Sequence, residues 1–409
     1  MVDYFENALG VLKEWLKIKS VKSKSLDGAP FGESVKFMLE KALADARDLG
    51  FETRNYDEFI GEVVFGGGDD RDGLAVLCHL DVVPEGDLSL WSVDPYGAVE
   101  KDGYLYGRGV VDDKGAAVAC LFALKSLKDE GFIPSKKIKL IFGCDEESGW
   151  ACIEHYNKNA VMPSVGFSPD GDFPVIYAEK GIYHIKYAFS KPNAVKDISG
   201  GDRVNVVCDK CEILFDGGES KEFFGVSAHG STPELGDNAI KKALSYLVEK
   251  GLFKVEDFEN LFSGKLFEKF IDESGVLTFS PNVIKVNGDK IEILVDIRYP
   301  VHFKLEDVNE KLKIIGDFEV LEHKKPLYAD KDGWLVKTLN SVYEKHTGEV
   351  AVSQTTGGGT YARALENGVA FGPVFDGGAV CHVPNERIKI EDLKKCYLIY
   401  KDAIKELSK

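Results

Sequence analysis

Short apolar runs that stop at acidic or imidazole side chains constrain this chain more than any other feature. Leu74-Ala75-Val76-Leu77-Cys78 runs into His79 and Asp81, and Gly107-Arg108-Gly109-Val110-Val111 into Asp112. Lys139-Leu140-Ile141-Phe142-Gly143-Cys144 runs into Glu146 and Glu147. The spacing predicts strands at about Glu62–Phe65, Leu74–Cys78 and Lys137–Phe142. Helical patterns surround them. Phe5, Leu9, Leu12 and Leu16 recur at three- and four-residue steps, and Phe37 to Leu49 repeats the pattern until Gly50 stops it. Gly115 to Glu130 reads as a helix opened by Asp112-Asp113, and Gly149 to Lys158 as another. Strands separated by helices predict an α/β sheet with helices on its faces. Ligands in such sheets gather beyond the carboxyl ends of strands, where His79, Glu146 and Glu147 fall.

Two more candidates come later, Asp170 in a Ser168-Pro169-Asp170-Gly171 turn and His382 in Cys381-His382-Val383-Pro384. Two imidazoles and three carboxylates hold two divalent cations if one carboxylate bridges them, and Glu146 is then left over as a base. That arithmetic belongs to a two-metal hydrolase. Each piece has a plainer reading. His79 and Asp81 equally suit a buried histidine beside a helix-capping aspartate. Spaced two apart, they also let Asp81 accept the second ring N–H of His79. Asp113 reads as an ordinary N-cap. Adjacent carboxylates at a helix start are costly without a cation, so Asp112 reads as a ligand. Acidic runs such as Asp145-Glu146-Glu147 are usually solvated loops, yet this one ends an apolar strand. Neighbours in extended chain point opposite ways, so one glutamate can meet a metal while the other faces substrate. There is no HExxH helix. Gly357-Gly358-Gly359 matches neither a Walker loop nor a dinucleotide fingerprint, although bare backbone there can approach a ligand closely. Cys208-x-x-Cys211 is a lone pair best explained by chance.

The stretch from Asp170 to His382 is too long for a loop. It carries its own strands (Ile182–Phe189, Lys290–Asp296) and helix (Asn238–Lys250), so most of it reads as an inserted domain. The sheet domain resumes with a helix near Trp334–His346. With 51 basic against 68 acidic residues the net charge is −17, a poor match for nucleic acid or an anionic membrane surface. The start, Met1 to Glu6, is acidic and lacks a basic signal region, and no apolar run approaches a membrane span. The eight cysteines are sparse and mostly in apolar segments, which points to a reducing cytoplasm.

Taken together the fragments LCHLDVVPEG, WSVDPY, DGYLYGRGVVDDKG, CDEESG, SPDGDFPVIYAEKG, SAHGSTPELGDNA, DIRYP, GGGTYAR and CHVPNERI resemble the co-catalytic zinc amidohydrolase family of carnosinases, PepV-type bacterial dipeptidases, aminoacylases and acetylornithine deacetylases. SPDGDFP and GGGTYAR lean toward the PepV-type dipeptidases. The resemblance implies a discontinuous zinc-peptidase catalytic domain (1–181 and 327–409), with helices on both faces of a mixed sheet, and an inserted α+β lid (182–326). It implies that His79 and Asp170 bind one metal, Glu147 and His382 the other, and that Asp112 bridges them and precedes a cis peptide bond. Asp81 would orient His79, and Glu146 would be the general base. In the lid, His229 would polarise the scissile carbonyl, Asn205 and Arg298 would hold the substrate carboxylate, and backbone near Gly358 would line the same pocket. The implied activity is dipeptide hydrolysis with two divalent ions, zinc first and manganese or cobalt next, by a cytoplasmic monomer or homodimer. An N-acyl amino acid deacylase is the alternative, and a catalytically dead relative is the rival that retention of Glu146 argues against. Two departures stand out. Val207 replaces the proline usual after Asn-Val, and the lid is shorter than in the long monomeric enzymes.

Overall fold

A computed structural model describes residues 4–376 and 379–409. The chain forms two compact units. One comprises residues up to Tyr177, Tyr328–Gln354 and the chain from Thr360 on; the other comprises Ala178–Leu327 with Thr355–Gly359. Thr355–Gly359, inside the stretch assigned by sequence to the first unit, groups with the second for a visible reason. Thr356 O accepts from Lys180 N at 3.0 Å, and Gly357 O accepts from Arg298 Nη1 at 2.9 Å.

The first unit is built on a mixed sheet. Its strands run in the order Glu52–Tyr56, Ile60–Phe65, Ile138–Gly143, Leu74–His79, Val165–Ser168 and Asn367–Ala370. The first two pairings are antiparallel and the next three parallel. Leu74–His79 and Ile138–Gly143 are buried at every position, as strands covered on both faces must be. Side chains of a strand alternate faces, so Phe142 and Lys139 point oppositely. Phe142 meets Trp15 of the Tyr4–Leu16 helix edge-on, ring centroids 5.8 Å apart. Lys139 Nζ reaches the hydroxyl of Tyr156 in the Ala151–Asn159 helix at 3.3 Å. Helices therefore cover both faces. The Tyr4–Leu16, Lys114–Asp129 and Ile390–Leu407 helices pack in series, and Trp334–Thr347 packs on the last of them.

A small four-stranded sheet serves the site. Its order is Ala379–Val380, Arg387–Lys389, Tyr104–Tyr106 and Val99–Lys101. It ties the segment carrying His382 to the one leading into Asp112.

The second unit is α+β. Seven antiparallel strands run in the order Ser220–Phe224, Lys210–Phe215, Val195–Gly200, Thr278–Asn287, Lys290–Tyr299, Gly181–Ser190 and Phe318–Lys324. Ile185, Ile213, Ile293 and Val295 from the sheet share a core with Leu244, Leu261 and Leu312 from its helices. Val207, the departure from proline, donates its N–H to Ala228 O at 2.9 Å, a bond that proline cannot make.

Candidate metal centre

Parallel strands deliver the first candidates. His79 is the last residue of its strand, Asp170 lies two past Val165–Ser168, and Glu146 and Glu147 follow Ile138–Gly143. Asp112 precedes the Lys114–Asp129 helix, and the Asp112–Asp113 peptide bond is cis, as the resemblance implied. His382 sits between two short strands with φ 58°. These residues converge. Asp112 Oδ1 is 2.6 Å from His79 Nε2, and Asp112 Oδ2 is 2.7 Å from His382 Nε2. Asp170 Oδ2 stands 3.8 Å from His79 Nε2, and Glu147 Oε1 3.0 Å from His382 Nε2. Glu146 offers an oxygen within 4.8 Å of ligand atoms on His79 and Asp170. The candidate set His79, Asp112, Glu146, Glu147, Asp170 and His382 is thus one cluster, with Asp112 central.

The donor set fits a pair of cations. Two ligands of a tetrahedral zinc, each about 2.0–2.2 Å from the ion, stand about 3.3–3.6 Å apart. The imidazole–carboxylate distances above bracket that spacing. Asp112 presents one oxygen to each imidazole, as a bridging carboxylate must. The charges point the same way. Burial opposes a charged His79 ring, but Asp112, Asp170 and Asp81 together raise it well above the ordinary histidine value. Burial opposes a charged His382 as well, and Asp112 and Glu147 raise it. Asp112 resists burial because His79 and His382 hold it well below the usual carboxylate range. Burial and Asp112 push Asp170 up to about 8, and burial and Asp170 push Glu146 well above its ordinary value. Carboxylates crowded out of water repel one another unless positive charge joins them. Bound protons or divalent cations can supply that charge.

Asp81 acts through different atoms from those expected. Its carbonyl oxygen, 2.9 Å from His79 Nδ1, accepts the ring N–H, while its carboxylate Oδ1 is 3.7 Å away. A carbonyl can only accept, so Nδ1 carries the proton and Nε2 turns its lone pair to the cluster. The carboxylate instead accepts the backbone N–H groups of Glu146 and Glu147, both at 3.1 Å. Asp113 also differs. It occupies the N-cap position, but its side chain makes no cap bond; Oδ2 accepts from His79 N at 3.1 Å. The strand end outcompetes the helix for it.

The second unit gathers the other candidates. Gly230 N donates to Asn205 O at 2.7 Å, and Val206 bridges His229. Gly230 lies against Asp296, where an added Cβ would come 2.1 Å from Oδ2. Asp296 takes Arg298 in a fork, Nε to Oδ1 at 2.8 Å and Nη2 to Oδ2 at 3.0 Å, and Arg298 reaches Gly357 O. These bonds use three of the five guanidinium N–H groups, so most of the fork expected for a substrate is engaged internally. Ser231 N donates to His229 Nδ1 at 3.2 Å, which leaves the ring proton on Nε2.

The profile described as Peptidase family M20/M25/M40 matches residues 75–406. The chain belongs to this family. As an M20 peptidase it is a peptide-bond hydrolase of a metal-dependent group. It is 36% identical to "Putative dipeptidase YtjP" of Bacillus subtilis (strain 168), covering 99% of this chain and 98% of that one. It is 32% identical to the Beta-Ala-Xaa dipeptidase of Lactobacillus delbrueckii subsp. lactis, covering 97% and 95%. The first alignment spans 456 positions against 409 residues here, so that relative carries segments this M20 chain lacks. Among solved structures, human carnosine dipeptidase 1 matches with TM-score 0.64 at 15% identity, over 99% of this chain and 96% of that one, a likeness of fold.

Sequence reasoning missed the residues that brace this M20 site. Tyr361 lies under the strand end, its ring 6.3 Å from that of His79 and its hydroxyl 2.8 Å from Cys152 Sγ. Gly143 makes room, since a Cβ there would meet the Tyr361 ring at 2.4 Å. Lys22 pairs with buried Asp145 at 2.6 Å, so Asp145 fastens the acidic run rather than joining the cluster. A tyrosine after a glycine run carries no local signal of such a role.

Proposed function

We propose that the chain is a cytoplasmic dipeptidase working with two divalent cations. The observation that carries this is Asp112, whose two oxygens face two different imidazoles. His79 and Asp170 would hold one cation, Glu147 and His382 the other, with Asp112 shared. Zinc suits the mixed imidazole and carboxylate set, as do manganese and cobalt. Bound there, the pair would acidify a water and polarise the scissile carbonyl. Glu146 would serve as the general base, taking a proton from the attacking water and returning it to the leaving amine; its raised proton affinity suits the second half of that task. Asp81 fixes both glutamates through their N–H groups. His229, with its ring proton on Nε2, is suited to donate to the carbonyl oxygen. Asn205 and the remaining N–H groups of Arg298 would receive the substrate's terminal carboxylate, and backbone at Gly358 would line the same pocket. The relatives named as dipeptidases support a dipeptide substrate. Seven of the eight cysteines are buried as free thiols, which suits a reducing compartment. No helix among the described residues is long and apolar enough to cross a membrane.

The test is a panel of dipeptides beside N-acetyl and N-succinyl amino acids, run on chelated protein and after restoring zinc, manganese or cobalt singly. Metal-restored cleavage confined to dipeptides is the expected result. Cleavage confined to the acyl amino acids would make the chain a deacylase, and turnover indifferent to chelation would remove the cations from the account.

A further inference from the structure

His382 is half-exposed and stands in left-handed backbone, so burial does not fix it. What lies behind it is built differently. Glu386 is fully buried. Its Oε1 accepts N–H groups from Gly109 and Val111, both at 3.0 Å, and from Asp112 at 3.4 Å. Its Oε2 pairs with Arg108 Nη1 at 2.5 Å, and its own carbonyl accepts from Gly107 N at 3.1 Å. One carboxylate thus grips the whole turn that ends in Asp112. Beside it, Asn385 also stands in left-handed backbone at φ 61°. Its Oδ1 accepts from the backbone and hydroxyl of Ser92, both at 2.7 Å, and its Nδ2 donates to Leu90 O at 2.8 Å.

We infer that Asn385 and Glu386 are positioning residues that set His382 against Asp112, and so determine whether the second cation is held. This rests on the two-cation reading above. Asp112 must meet two imidazoles, one at a rigid strand end and one on an exposed loop. The loop gains its register only if it is fastened to the Asp112 turn itself. Glu386 does that four residues from His382, and Asn385 fastens the same segment on its other side. A buried ion pair such as Arg108–Glu386 is a weak source of stability, because desolvation offsets the attraction. Its geometry is strict, with every Glu386 oxygen engaged, which is what a spacing element requires. Residues that orient metal ligands typically change metal affinity when altered, without touching the ion.

The experiment titrates metal-free protein with Mn²⁺ alone by calorimetry, with thermal midpoints recorded in parallel. The wild type should take two ions. Glu386→Gln keeps an oxygen for the three N–H groups but loses the charge facing Arg108. It should retain one site and weaken the other about 10–100-fold, with kcat reduced and KM little changed. Asn385→Ala, which removes the surface fastening and adds the strain of alanine at φ 61°, should weaken the same site by a smaller factor. Wild-type affinity for both ions in both variants would overturn the inference. So would equal loss of both sites in step with a lower thermal midpoint, which marks a general structural role. If Glu386→Gln does not fold, Asn385→Ala decides the matter by the same criteria. A wild type that takes no pair of ions would instead contradict the two-cation reading and remove the inference with it.

Discussion

Glu146 and Glu147 are neighbours with one shared backbone clamp, yet their partners separate them. Glu147 meets an imidazole at 3.0 Å, whereas Glu146 is held near the first half of the cluster with its proton affinity raised. Glu146→Gln should therefore lower kcat by about 10²–10⁴-fold with both cations retained, read by metal analysis beside initial rates. Loss of a cation with activity would make Glu146 a ligand. Gly143→Ala is a second residue-level case. The new methyl meets the Tyr361 ring, which is buried and packed edge-on against His79 and Trp150, so a loss of about 1–3 kcal/mol is expected from chemical denaturation. Residue types were legible from sequence, and the atoms doing the bonding were not. His79, Asp112, Glu147, Asp170 and His382 stood out because each broke an apolar run or a turn. That Asp81 works through its carbonyl, that Asp113 abandons the helix for His79 N, and that Arg298 spends its fork on Asp296 depend on partners distant in sequence.

At the level of elements, the apolar runs and helical periods marked the buried framework well. Leu74–Cys78 appears as Leu74–His79, Lys137–Phe142 as Ile138–Gly143, and Trp334–His346 as Trp334–Thr347. The pattern was unambiguous because both faces of those strands are covered. Glu52–Tyr56, an edge strand with no buried residue, gave no such pattern. The helix expected from Phe37 starts earlier, at Glu33, after Gly32 at φ 99° and without a side-chain cap. Short strands such as Ala379–Val380 are too brief for periodicity to show. Trp15 tests the framework. It is wholly buried on Phe142 and donates Nε1–H to Asp45 at 2.8 Å. Trp15→Ala should cost about 3–5 kcal/mol in denaturant unfolding. A change under about 1 kcal/mol would mean that the first helix does not brace the strand carrying the site.

For the whole molecule, the net charge is −17, and buried carboxylates and imidazoles meet at one place within it. His79 and His382 have raised proton affinity, and Asp170 is pushed up to about 8. Cations must displace those protons, so binding releases protons and apparent metal affinity rises with pH across the range 6 to 8 and continues to rise above it. Calorimetry in buffers of differing ionisation enthalpy counts them; affinity independent of pH between 6 and 8 would mean the cluster is already deprotonated. The most direct measurement is the number of divalent ions taken up per chain by metal-free protein, wild type beside Asp112→Ala. Two ions are expected for the wild type, and loss of the paired site, with loss of dipeptide cleavage, in the variant. Cleavage by a wild type that takes up no divalent ion, or two ions still tightly held without Asp112, would contradict it.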